Sequence, residues 1–148
     1  MISWDRYPDA EPYMNSKDVG NLGEHIAIVE LLKNDIIVSR PLGDNARYDL
    51  ILDVNGVLYT CQVKSTNSAT AKLATFSLES SQAHRGGTRQ QYNVDLFCCV
   101  DITNNKVLIV PNIDNISSIK IRYEPTENGQ TKGLNMWYDY TLEKFLLL

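Results

Sequence analysis

Asn55-Gly56 stands between two runs of alternating apolar residues, Tyr48 to Val54 and Val57 to Ser65. Both turn residues tolerate positive φ, so the pair predicts a two-residue hairpin and makes the flanking runs antiparallel strands. Side chains alternate along a strand, which puts Gln62 and Lys64 on one face and Cys61 and Val63 on the other. Asp49 alternates with Leu50 and Leu52, and the hairpin brings it beside the Gln62 and Lys64 pair. A carboxylate, an amide and an ammonium then converge on an otherwise apolar sheet. Polar groups so placed cost free energy unless something binds them.

Oxygen donors from an acid and an amide suit a hard cation such as Mg²⁺, which keeps several waters and is completed by substrate phosphates. A lysine two residues on can orient or deprotonate a water, or stabilise charge building on phosphorus. These parts suit hydrolysis of a phosphodiester. A neutral amide binds Mg²⁺ more weakly than a carboxylate, so a second acid is wanted. Glu24 offers one, in an apolar-periodic segment from about Lys17 to Lys33. There Val19, Leu22, Ile26, Val29 and Leu32 recur at helical spacing.

Each residue has a plainer reading when taken singly. Asp49 satisfies backbone groups near a turn, Lys64 snorkels from a strand edge, and Glu24 is a solvated helix residue. Arg47 pairs with Asp44 or Asp53 as readily as with a phosphate. Tyr92 and Asp95 shape a strand junction. The joint occurrence of the acids, the amide and the lysine in this order favours a site.

Elsewhere the chain reads as follows. Residues 1–16 form an irregular arm in which Trp4 and Tyr13 cover the core or a partner subunit. Ser16 or Asp18 caps the first helix, which ends near Asn34. Ile36-Ile37-Val38 is a first strand, so three strands form a meander. Ala71 to Ser80 holds a strand with Phe76 and Leu78 on one face. Gln82 to Gln91 is a polar loop with arginines and glycines suited to phosphate, or simply to water. Asn93 to Asp101 and Lys106 to Pro111 make a second hairpin turning at Asn104-Asn105. Ile119 to Tyr123 is strand-like, and Met136 to Leu148 reads as a closing helix whose last residues dock on the core or a second subunit.

Composition sets outer bounds. With 43% hydrophobic and 22% charged residues over 148 positions, a folded globular domain is expected and disorder is not. Nothing approaches the roughly 18 consecutive apolar residues of a membrane helix, and Met1-Ile2-Ser3-Trp4-Asp5 lacks a signal-peptide pattern. The expected location is the cytoplasm. Three cysteines, Cys61, Cys98 and Cys99, are an odd set for disulfides and suit buried positions. A net charge of -4 counts against the basic footprint of a nucleic-acid binder. Acids that hold a cation, and basic patches pooled in an oligomer, offset this.

The ordered motifs resemble a known family. They are Gly20-Asn21-Leu22-Gly23-Glu24, then Arg40-Pro41-Leu42-Gly43-Asp44-Asn45-Ala46-Arg47-Tyr48-Asp49-Leu50-Ile51, then Gln62-Val63-Lys64-Ser65-Thr66. Tyr92-Asn93-Val94-Asp95-Leu96-Phe97, Lys106 to Pro111, Ile121 to Pro125 and Leu134-Asn135 continue the series. From Val19 to Tyr140 the chain resembles the PD-(D/E)XK nuclease superfamily, and within it the group I intron-associated homing endonucleases. The resemblance implies an α/β fold with a restriction-endonuclease-like core: an N-terminal helix, a β-meander, and a mixed sheet flanked by helices, as one domain over residues 1–148. It carries the metal-binding aspartate onto Asp49, the catalytic lysine onto Lys64 and the first-helix glutamate onto Glu24. Gln62 stands where most members have Asp or Glu.

The implied activity is Mg²⁺-dependent cleavage of double-stranded DNA, with Mn²⁺ as a substitute. Asp49, Glu24, Gln62 and the Val63 carbonyl are the expected ligands. DNA contacts are expected among Arg47, Lys72, Arg85, Arg89, Lys120 and Arg122. Cutting two strands needs two sites, so a homodimer or homotetramer is expected. The alternatives are a Holliday-junction resolvase or restriction-type enzyme on the same fold, and a catalytically silent DNA-binding or assembly module.

Overall fold

A computed structural model describes residues 14–80, 91–113 and 116–148. The arm as far as Tyr13, and the polar loop with Arg85 and Arg89, lie outside the described residues. The elements run α1 (Ser16–Lys33), β1 (Ile37–Ser39), β2 (Leu50–Val54), β3 (Val57–Thr66), β4 (Leu73–Ser77), β5 (Leu96–Asp101), β6 (Lys106–Pro111), β7 (Ser118–Arg122), β8 (Asn135–Met136), a 3-10 turn (Trp137–Asp139) and α2 (Leu142–Leu146).

The expected hairpin forms. Asn55 and Gly56 sit at φ 52° and 88°, and β2 pairs with β3 from Val54↔Val57 to Leu50↔Cys61. β1 adds on the far side of β2, completing the antiparallel meander. β3 is the long strand, and its two halves differ. Its first half pairs antiparallel with β2, whereas Cys61 to Thr66 pair in parallel with β5. A pin marks the change: Asp95 Oδ2 accepts from the Thr60 N–H at 2.8 Å and the Thr60 hydroxyl at 3.1 Å. The five strands form one mixed sheet in the order β1-β2-β3-β5-β6.

Two cores flank this sheet. On one face Ala27 and Leu31 of α1 meet Leu50, Leu52, Cys61, Cys98 and Val100, joined by Leu142 of α2. On the other, Phe97, Cys99, Leu108 and Val110 meet Ala74, Phe76, Ile119 and Ile121 of a small sheet ordered β4-β7-β8. Cys98 and Cys99 point to opposite faces, as strand alternation requires. All three cysteines are free and buried, and burial pushes the Cys99 thiol well above its ordinary value.

Three expectations need correction. The buried stripe of α1 is Val19, Gly23, Ala27 and Leu31, while Leu22, Val29 and Leu32 are exposed. The helix is turned so that its small residues face the sheet, because Gly23 lies against Ser65 and leaves no room for a Cβ. Neither Ser16 nor Asp18 is the N-cap. Asn15 is, accepting from the Asp18 N–H at 2.9 Å, and Asp18 accepts from the Asn15 N–H at 3.3 Å to close a capping box. The closing helix is shorter than expected. Thr141 caps α2 by accepting from the Lys144 N–H at 3.1 Å, and β8 and the 3-10 turn occupy the residues before it. Phe145 and Leu146 dock on the helix-side core, whereas Leu147 and Leu148 are exposed. Among the described residues no helix is long and apolar enough to cross a membrane.

Candidate active site

The site forms where β2 stops accompanying β3. The Asp49 N–H still donates to the Cys61 carbonyl at 2.9 Å. At the next ladder position no strand backbone accepts the Val63 N–H, and the Asp49 side chain does so instead, through Oδ2 at 2.9 Å. The carboxylate thus extends the ladder by one bond and is fixed against the edge of β3. A residue's N–H and C=O point to the same side of a strand, so the Val63 carbonyl faces the edge that Asp49 occupies.

Burial raises the carboxyl of Asp49 above the ordinary aspartate value, and the negative charge of Glu24 adds to this. The Val63 N–H, the Lys64 ammonium and a hydrogen bond from Gln62 oppose the rise. That bond uses the Gln62 NH₂, which leaves its amide oxygen free to accept elsewhere. Glu24, Gln62 and Lys64 therefore all come within electrostatic reach of Asp49, across a sheet edge and a helix.

Glu24 has a partner that the sequence did not suggest. Arg40, just past β1, places Nη2 2.9 Å from Glu24 Oε1. Lys64 also has partners from distant segments. Its Nζ donates to the Glu79 carbonyl at 3.1 Å and to the Tyr92 hydroxyl at 3.0 Å, and it lies 4.4 Å from the centroid of the Tyr92 ring. The only signal for either partner was residue type: an arginine before Pro41 and a tyrosine just ahead of β5. Beside Lys64, a groove of about 570 Å³ runs between the first turns of α1, at Asn15, Ser16 and Gly20, and Ser65 to Asn67 of the β3 end.

The expected DNA-contacting residues are not gathered at this edge. Lys72 and Arg122 lie at the end of the β4/β7 pair away from Glu79, with Leu73 opposite Arg122 and Thr75 opposite Lys120. Seven residues of extended chain separate Lys72 from Glu79, roughly 23 Å. Lys72 pairs loosely with Glu127 at 3.4 Å, and the Arg122 Nε donates to the Glu124 carbonyl at 3.2 Å. Arg47, close to Asp49 in sequence, is exposed and makes no ion pair among the described residues; Asp53 instead accepts from the Gly56 N–H at 2.8 Å.

The family model for PD-(D/E)XK endonucleases matches residues 14–143, which include every site residue just described. The chain belongs to the PD-(D/E)XK endonuclease family. A solved structure supports the assignment, that of the bacterial homing endonuclease I-Ssp6803I. It superposes with a TM-score of 0.70 at 26% identity, over 91% of this chain and 94% of that one. No curated protein matches this chain.

PD-(D/E)XK nucleases generally use divalent metal ions, and the donors at this edge suit one. Asp49, Glu24, the Gln62 amide oxygen and the Val63 carbonyl are all hard oxygen donors. Among the described residues no three His, Cys, Asp or Glu side chains cluster in a way that could hold a metal. Two carboxylates and neutral oxygens therefore make a sparse donor set. Mg²⁺ tolerates that, since it keeps waters and is completed by phosphate.

Proposed function

We propose that this nuclease is a Mg²⁺-dependent DNA endonuclease of the homing type, like those of group I introns. It would act on double-stranded DNA as a homodimer or homotetramer in the cytoplasm. The observation that carries the reading is the meeting of Asp49, Gln62 and Lys64 at the edge that β2 vacates, with Glu24 reaching it from α1. Asp49, Glu24, Gln62 and the Val63 carbonyl would hold the cation, which when bound polarises a phosphoryl oxygen and acidifies its water. Gln62 binds Asp49 through its NH₂ and offers its oxygen to the cation or the water. Lys64 spends two N–H groups on the Glu79 carbonyl and Tyr92, and presents the third to the attacking water or to charge building on phosphorus. Arg47 is exposed beside Asp49 and free to meet a backbone phosphate. Lys72, Lys120 and Arg122 would touch the duplex farther along; Arg85 and Arg89, outside the described residues, are further expected contacts.

One observation favours a second reading, a catalytically silent DNA-binding module. Gln62 replaces an acid, and Arg40 already neutralises Glu24. Purified protein incubated with supercoiled plasmid and long mixed-sequence DNA, in Mg²⁺ or Mn²⁺, separates the two. The nuclease reading expects cutting that falls about 10³-fold in Lys64→Ala. It also expects a Mn²⁺-dependent rise in thermal stability that Asp49→Ala removes. Folded protein that cuts neither substrate and gains no stability from Mn²⁺ would leave the silent module. Preference for branched DNA would indicate a junction resolvase, and a short palindromic target a restriction-type enzyme.

A further inference from the structure

Tyr92 belongs to none of the four residues placed at the site, yet it is the side chain that Lys64 touches in two ways. The Nζ donates to its hydroxyl at 3.0 Å and lies 4.4 Å from its ring centroid, within reach of a cation–π attraction. A lysine side chain is a long, freely rotating stem carrying a compact charge, so its position is set by what receives its N–H groups. Here one receiver is the Glu79 carbonyl at 3.1 Å and the other is Tyr92. With two of three N–H groups assigned, the third has a defined direction.

The tyrosine is itself held in place. Its ring meets Phe97 of β5 edge to face, with centroids 6.1 Å apart and planes at 77°. Its backbone carbonyl accepts from Asn112 Nδ2 at 3.0 Å, and the same nitrogen donates to the Val94 carbonyl at 2.8 Å. The Asn112 N–H in turn donates to the Asp95 carbonyl at 3.0 Å. Asn112 follows β6, so β5 and the edge strand β6 beside it fix the loop that presents Tyr92. A tyrosine that served only as filler between sheet and small sheet would need the ring and not the hydroxyl.

We propose that Tyr92 is a positioning residue for Lys64, its hydroxyl and ring face aiming the ammonium at the reacting phosphate. This rests on the nuclease reading of Lys64, and the test keeps the two apart. Single-turnover cleavage of plasmid DNA is compared in the parent, Tyr92→Phe, Tyr92→Leu and Lys64→Ala, with DNA half-saturation measured alongside. Tyr92→Phe keeps the packing on Phe97 and loses only the hydroxyl. It lowers the cleavage rate about tenfold with half-saturation unchanged. Tyr92→Leu also removes the ring face and lowers the rate about a hundredfold.

The ammonium resonance of Lys64, followed by NMR in the protein alone, reads the same contact without catalysis. It is sharp and slow to exchange in the parent and broadened in Tyr92→Phe. A parental rate in Tyr92→Phe overturns the proposal, as does a loss carried wholly by DNA half-saturation. So does an ammonium signal that ignores the substitution. If Lys64→Ala cuts like the parent, the nuclease role of Lys64 fails instead, and the resonance still decides whether Tyr92 holds it.

Discussion

Asp101 and Asp49 are both carboxylates withdrawn from water in the central sheet, one closing β5 and the other leading into β2. Asp101 is fully buried and surrounded by donors: the Tyr123 hydroxyl at 2.6 Å, the Asn104 N–H at 3.0 Å and Asn104 Nδ2 at 2.7 Å. Burial, and next the hydrogen bond to Asp101, push the Tyr123 hydroxyl well above its ordinary value, so it remains a donor. Asp49 receives the Val63 N–H and the Gln62 amide, and faces the like charge of Glu24. The first carboxylate is saturated by the chain itself and ties the β5–β6 turn to the residue after β7. The second is only partly satisfied and sits at an open edge. A buried acid with every donor supplied belongs to the scaffold, whereas one whose burial disfavours its charge, with the like charge of Glu24 nearby, is suited to take up a cation.

The largest expected effect tests the scaffold half. Asp101→Ala orphans Tyr123 and Asn104 and costs about 3 kcal/mol. In thermal unfolding that is a drop of roughly 6–12 °C for a chain of this size, with cutting retained at low temperature. Asp49→Ala, by contrast, abolishes Mn²⁺-dependent stabilisation at little cost to the fold. Equal thermal losses in the two variants would erase the distinction.

A smaller effect concerns the charge that holds Glu24. Removing the Arg40 cation frees Glu24 and lessens repulsion of a divalent ion, so Arg40→Ala is expected to bind Mn²⁺ about tenfold more tightly. Calorimetry at low ionic strength measures this, since screening weakens the effect in salt. Weaker binding would instead make Arg40 the brace that holds Glu24 in place.

The smallest effect is one of pH. The carboxyl of Asp49 titrates higher in the folded protein than in the unfolded chain, so its ionisation opposes folding. That cost is absent below the unfolded value near 3.8, builds as pH rises through the folded value, and is complete above it. Metal-free Asp49→Asn is therefore more stable than the parent at neutral pH, by less than about 1 kcal/mol because the group is partly open to solvent. The advantage vanishes in acid. Denaturant melts across pH read it, and stabilisation that persists in acid would refute this origin.

Much of the site was legible because its parts are local. Asn55-Gly56 fixed the register of β2 and β3, and strand alternation then put Asp49 opposite the Gln62 face. The order of Glu24, Asp49, Gln62 and Lys64 supplied the family. The helix face was misread because Leu22, Val29 and Leu32 are apolar at helical spacing, yet periodicity cannot say how close a helix must approach. Gly23 against Ser65 decides that. Met136 to Leu148 read as one helix because aromatic and leucine residues dominate it, whereas pairing of Asn135 and Met136 with β7 and the cap at Thr141 divide it.

By itself, then, the sequence determined which residues share a strand face, where the chain turns, and which chemistry the polar face can hold. These follow from φ preferences and a period of two, which act over a few residues. Only the tertiary structure decided that β3 exchanges β2 for β5 as its partner at Cys61, that Arg40 engages Glu24, and that Lys64 meets Glu79 and Tyr92. Those contacts join segments 15 to 35 residues apart, and no local pattern encodes them. They arise from packing the small sheet and α1 on opposite faces of the central one.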